Sequence, residues 1–177
     1  MKKSGITFIF VLIIVLAVVL ATLPVNETHA EYLRIHIRAN GNSEEEQAVK
    51  YVVKDRVVDY LAPILAGCES KEKALKTLED SLSGIESVCD KTLAEQGFSY
   101  KAKASVRKEN FPTRTYDNLT LDGGIYDALI IELGSGKGDN WWCVAYPPLC
   151  FTQAKVSYIY KSKIYEIIKN FFGKKGG

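Results

Sequence analysis

"YLRIHIRANGNSEEEQ", residues 32–47, changes its period halfway along. Up to Arg38, apolar and polar residues alternate: Leu33, Ile35 and Ile37 face one way, Arg34, His36 and Arg38 the other. That two-residue period marks a half-buried strand with its charged side in solvent. "NGNS", residues 40–43, is a turn. Ser43 stands three residues before Glu46, the spacing of a capping box that opens a helix, and Glu44, Glu45 and Glu46 suit the positive end of its dipole. Val49, Val52, Val53, Val57, Tyr60, Leu61 and Ile64 continue at helical spacing. Pro63 kinks or ends this helix and Gly67 closes it.

The stripe Ala74, Leu75, Leu78, Leu82, Ile85, Val88, Cys89 and Leu93 predicts a second helix from about Lys71 to Gln96, with Gly97 as its stop. Two such stripes predict a helical hairpin packed on one face of a sheet. From Phe98 to Lys108 the period returns to two. "FPTRTY", residues 111–116, contains Pro112 and reads as an edge or a bend. "DGGIYDALIIELG", residues 122–134, supplies a turn and a strand. "GSGKGDN", residues 134–140, reads as a flexible hairpin loop, and "WWCVAY", residues 141–146, as the returning strand. The fold class expected is α+β, an antiparallel sheet with a two-helix hairpin on one face.

The ends differ from this middle. Lys2 and Lys3 precede an apolar run from Ile6 to Leu23, and Ala30 follows a short polar stretch. Residues 1–30 therefore read as a secretory signal cut after Ala30, or as an uncleaved anchor, since the run approaches the length of a membrane span. Either reading exports residues 31 onward. Residues 31–153 form the α+β domain, and residues 154–177 a basic tail. Val156, Ile159, Tyr160, Ile164, Ile167, Ile168, Phe171 and Phe172 lie on one helical face of that tail and lysines on the other. Such a helix contacts an anionic membrane surface weakly or caps the core.

Net charge is +2 over 177 residues, which directs no strong field at nucleic acid. The charge is unevenly placed: six lysines against Glu166 beyond residue 154, and fifteen Lys and Arg against nineteen Asp and Glu over residues 31–154. Outside the cytoplasm, four cysteines can form disulfides. What reads as one long helix would hold Cys68 and Cys89 roughly 30 Å apart, so they pair only if Gly84 breaks it; Cys143 with Cys150 is the expected pair, since Pro147 and Pro148 between them can turn the chain back. Zinc is the runner-up, without C-x-x-C spacing or clustered histidine in its favour.

Chemistry is sparse. His29 falls in the leader, so His36 is the only histidine of the exported part, and a hydrogen-bonded structural role suits it better than that of a general base. "GSGKG" lacks the spacing of a phosphate loop, and "LDGG", residues 121–124, lacks the hydroxyl residue and second copy of an aspartic protease. No catalytic set, cofactor site or metal site is expected. The best enzymatic alternative, a cell-envelope hydrolase or wall-binding module, would use His36, Glu109 and Asp127. The remaining oddity is "NWWCVAYPPLCF", residues 140–151, which holds both tryptophans, two cysteines and two prolines. It reads as a stiffened recognition edge locked by the Cys143–Cys150 bridge. One tryptophan is expected in the core and its neighbour outside, because adjacent strand residues face opposite ways.

"LRIHIRANGNSEEEQAVK", "FPTRTY", "GGIYDAL" and "LGSGKGDNWWCVAYPPLCF" together, in that order, resemble the stage II sporulation protein R family over roughly residues 1–153. The family tends to carry Asp beside the Asn-Ser turn where this chain has "ANGNSEE". The resemblance implies a signalling protein made in the forespore and secreted into the space between two membranes. Its partner would be a membrane-embedded aspartic protease of the mother cell, which it activates to process pro-sigma-E. It implies a ligand, not a protease. The candidate partner-binding residues are His36, Arg38, Asn40, Phe111, Pro112, Tyr116, Tyr126, Asn140, Trp141, Trp142, Pro147, Pro148 and Phe151.

Overall fold

A computed structural model describes residues 12–15, 28–116 and 119–151. Residues 1–11 and 16–27 of the leader and the basic tail lie outside the described residues. Among those described, no helix is long and apolar enough to cross a membrane.

The chain runs β1 (Thr28–Arg38), α1 (Glu44–Leu65), α2 (Lys71–Asp80), α3 (Leu82–Glu95), β2 (Ala102–Phe111), β3 (Arg114–Tyr116), β4 (Leu119–Leu121), β5 (Gly124–Leu133) and β6 (Asn140–Tyr146). A single 3-10 turn, Leu149–Phe151, follows. β1 begins at Thr28, upstream of Ala30.

Ser43 caps α1 by accepting the Glu46 N–H. Only this half of the capping box forms. The Glu46 carboxylate instead accepts from Asn40 Nδ2 at 2.8 Å and from Tyr100 Oη at 2.5 Å, tying the helix start to β1 and to the approach of β2. Pro63 lies inside α1, in its last turn. The second helix is not one but two. Ser81 interrupts it, and its hydroxyl donates back to the Thr77 carbonyl at 2.7 Å, a side-chain bond that competes with the helical ladder. Beyond the break, α3 crosses α1 so closely that a Cβ on Gly84 would meet Tyr60 Oη at 2.1 Å.

The sheet is mixed, not antiparallel. Its order is β2-β5-β1-β6; β1 runs parallel to β5 and antiparallel to β6, and β2 is antiparallel to β5. β5 and β6 therefore form no hairpin, because β1 lies between them. The "GSGKGDN" loop steps across the end of β1 and is fastened there. Gly138 N–H bonds the Ala39 carbonyl and Ala39 N–H bonds the Asp139 carbonyl. Ser135 N–H bonds Asn40 Oδ1 at 2.8 Å, and Asp139 N–H bonds Asn42 Oδ1 at 2.6 Å. A Cβ on Gly138 would stand 2.3 Å from the Gly41 carbonyl oxygen, so the glycines allow the close approach of the two turns rather than freedom.

Both faces of the sheet are covered. On the helix side, Leu33, Ile35, Ile37, Leu129, Ile131 and Leu133 pack against the three helices. Burying each of these side chains is worth roughly 1.5–3 kcal/mol. The opposite face, expected to be wet, carries a second core of Tyr32, Phe111, Leu121, Tyr126, Ala128, Ile130 and Val144, with Tyr116, Leu119 and Trp142 packed around it. The small β3–β4 pair contributes Tyr116, Leu119 and Leu121 to this layer.

Candidate functional site

The second layer encloses the charged side of β1. Arg34 and His36 are fully buried, not solvent-facing as alternation alone suggested. The Arg34 guanidinium lies among aromatic rings, 4.5 Å from the centroid of Phe111, 4.8 Å from Tyr126 and 5.5 Å from Tyr116. Its Nη2 donates to Tyr116 Oη at 2.7 Å and its Nε to the Cys143 carbonyl at 3.1 Å, while Nη1 has no hydrogen-bond partner. Ring faces take the place of a carboxylate here, through the attraction of a cation to the ring quadrupole.

His36 is held on every side. Its ring stacks on Trp142 with centroids 3.7 Å apart and meets Phe111 edge-on at 5.8 Å. Nδ1 lies 2.9 Å from Glu109 Oε1, and Nε2 lies 2.8 Å from Asn140 Oδ1. Burial lowers the His36 pKa, against the opposing pull of Asn140 and Glu109. A neutral ring has one N–H. Both atoms facing the ring, Glu109 Oε1 and Asn140 Oδ1, are oxygens, so a neutral ring donates to one of them and its tautomer decides which. Glu109 reaches His36 from β2 across the intervening β5, where Ala128 presents only a methyl group. Burial would raise the Glu109 pKa, but the bond and charge of Arg38, together with His36, hold it below the usual carboxylate value. Arg38 bonds both Glu109 and Glu132, and Arg107 lies 3.4 Å from each. The result is a closed ionic network with a buried histidine at its inner end.

The structure brings His36, Arg38, Phe111, Tyr116, Tyr126, Asn140 and Trp142 together on this face. Asn40 sits apart, bonded to Glu46 and to the crossing loop. Pro112 is exposed at the end of β2. Pro147 and Pro148 are buried, after a cis Tyr146–Pro147 bond. Phe151 ends the 3-10 turn, and its side chain lies outside the described part. Cys143 and Cys150 form the disulfide, with Cα atoms 6.2 Å apart, while Cys68 and Cys89 are unbridged and buried.

Neither tryptophan is a simple core or surface residue: both are half-buried, on opposite faces. Trp141 packs against the helix-side core, with Lys54 Nζ 5.9 Å from its ring; Trp142 packs against the aromatic layer, with Arg114 Cζ at 6.0 Å. The covered second face explains the difference, since each tryptophan finds a core on its own side.

Sequence reasoning missed Arg34, Arg107 and Glu132 as members of this cluster. Arg34 shares the face of His36 and Arg38, so the aromatic density of "FPTRTY" was the available sign that this face would be roofed. The enzymatic alternative is not assembled. Asp127 faces the helices and pairs with Lys71 at 2.6 Å, on the far side of the sheet from His36 and Glu109. Among the described residues, the His36 ring bonds only Glu109 and Asn140.

A family model described as Stage II sporulation protein R matches residues 29–156. A curated relative of that name from Bacillus subtilis (strain 168) is 34% identical over 119 residues, which is 67% of this chain and 53% of the relative. The chain thus spans about half the length of the curated relative it matches. No solved structure matches it.

Proposed function

Because this chain belongs to the stage II sporulation protein R family and so to sporulation, we propose that it is a secreted signal from forespore to mother cell. Exported by its N-terminal segment into the space between the two membranes, it binds a membrane-embedded aspartic protease and activates that protease to process pro-sigma-E. The protein acts by binding and carries no chemistry of its own.

The observation that supports this reading most is the placement of "NWWCVAYPPLCF". The segment forms the edge strand of the sheet, and the chain is folded back over its end by a disulfide. Both tryptophans are half-exposed along it. Aromatic anchors on a rigid element suit a protein interface, and preorganisation lowers the ordering cost of binding. The polar groups of His36 and Glu109, by contrast, are consumed by internal bonds.

The test is reconstitution of the exported chain with the receptor protease and pro-sigma-E. Processing is expected only when both proteins are present, and its absence with folded chain and active protease would refute the reading. Incubation with peptidoglycan addresses the hydrolase alternative, which released fragments would support.

A further inference from the structure

The two edges of the sheet are finished differently. On β2, the Ala102 and Ala104 N–H groups are covered by Asp90 Oδ1 and Glu86 Oε1 of α3, at 2.8 and 2.9 Å. On β6, Cys150 Sγ contacts both the Val144 N–H and the Val144 carbonyl, at 3.1 and 3.2 Å. Those groups therefore point away from β1. In an antiparallel pair the direction alternates residue by residue, so the N–H and C=O of Trp142 and Asn140 point outward too, while Cys143 and Trp141 bond into β1. Among the described residues, the returning segment covers the edge at Val144 and leaves it open at Trp142 and Asn140.

We infer that this open stretch of β6 accepts an added strand from a protein partner, an extended segment with acidic residues at two successive positions. An uncovered strand edge is a template for pairing, and recognition by strand addition uses such edges. The charge requirement comes from the flanks. Arg114 stands over Trp142 on one face and Lys54 over Trp141 on the other. Arg114 makes no ion pair among the described residues, and Lys54 has only the exposed carboxylate of its chain neighbour Asp55. Successive residues of an added strand point to opposite faces, so two adjacent carboxylates place one beside each cation. The chain's own tail is basic, and a second copy would bring the same two cations. Both are repelled where an acidic strand is attracted.

This inference rests on the reading of the chain as a protein ligand, and its test needs no receptor. Hydrogen exchange by mass spectrometry is measured on the full chain, alone and with millimolar capped hexapeptide Thr-Val-Glu-Glu-Val-Thr or its Lys-Lys counterpart. Without peptide, the amides of Asn140 and Trp142 exchange quickly and those of Trp141 and Cys143 slowly. The acidic peptide slows Asn140 and Trp142 about tenfold by closing their open state; the basic peptide does not. Arg114→Glu combined with Lys54→Glu reverses the preference, with exchange in β1 and β5 unchanged as the control for folding. No protection, equal protection by both peptides, protection at Val106–Asn110 of β2, or protection that rises with protein concentration alone would each overturn the inference. Failure of protease activation with this peptide result intact would instead refute the function proposed above.

Discussion

His36 on β1 and Trp142 on β6 are paired across the ladder, and their rings lie face to face with centroids 3.7 Å apart and planes 19° from parallel. The stack closes the aromatic layer over the inner end of the ionic network. Trp142→Ala should therefore destabilise the fold by about 2–4 kcal/mol, and Trp142→Phe by less than about 1.5 kcal/mol. Trp141→Ala should also destabilise, because Trp141 packs on the other core. Urea denaturation of the three variants checks this. Unchanged stability in either alanine variant would contradict burial on both faces.

Arg34 is a buried cation held by rings, a hydroxyl and a carbonyl. Arg34→Ala removes its bulk and strands the Tyr116 hydroxyl, and should cost about 3–5 kcal/mol. Arg34→Met keeps most of the volume without a charge to desolvate and should cost markedly less. Equal losses in denaturant melts of the two would show that the charge, rather than the packing, holds the layer together.

Acid should weaken the protein in two stages. Burial lowers the His36 pKa from its ordinary 6.5, so above that value neither folded nor unfolded chain carries the proton. As pH falls below it, the unfolded chain protonates first and stability declines. The Glu109 pKa is lowered from 4.5, so its contribution is present above that value and is lost as pH falls through the folded pKa. Thermal melts from pH 8 to pH 2 should show both declines. His36→Gln should flatten the first without removing the second.

Native protein should expose no reactive thiol. Cys68 and Cys89 are buried out of reach of a reagent, and burial pushes the Cys89 thiol up to about 12, so little Cys89 thiolate is available. A thiol reagent should label two groups per chain, and only after unfolding. Replacing Cys143 and Cys150 together with Ser should cost about 2–3 kcal/mol, as expected for so short a loop. Thiol titration and denaturant midpoints measure the two effects.

Elements with a single strong period were legible in the sequence: the strand Leu33–Arg38, the Ser43-capped helix, the apolar run of β5 and the short disulfide loop. The break at Ser81 was not, because a serine bonding back to Thr77 leaves the hydrophobic stripe intact on both sides. The order of strands was not, because "GSGKGDN" has the composition of a hairpin; only its bonds to Ala39, Asn40 and Asn42 reveal a crossing. Alternation along β1 was read correctly but assigned to water on one side. Nothing local to Arg34 or His36 announces a roof built by Phe111, Tyr116 and Leu121, which follow roughly 80 residues later.

With β1 in the interior of the sheet, the earliest strand of the chain depends on the latest. Thr28–Arg38 pairs with Gly124–Leu133 and Asn140–Tyr146, so two of the three strand pairings in the sheet wait for segments made about 100 residues later. Contacts of such long sequence separation form slowly, because loop closure precedes any reward. A chain threading outward from its N-terminus would hold β1 unpaired until β5 and β6 had followed it. The topology thus delays completion of the sheet until most of the domain has emerged.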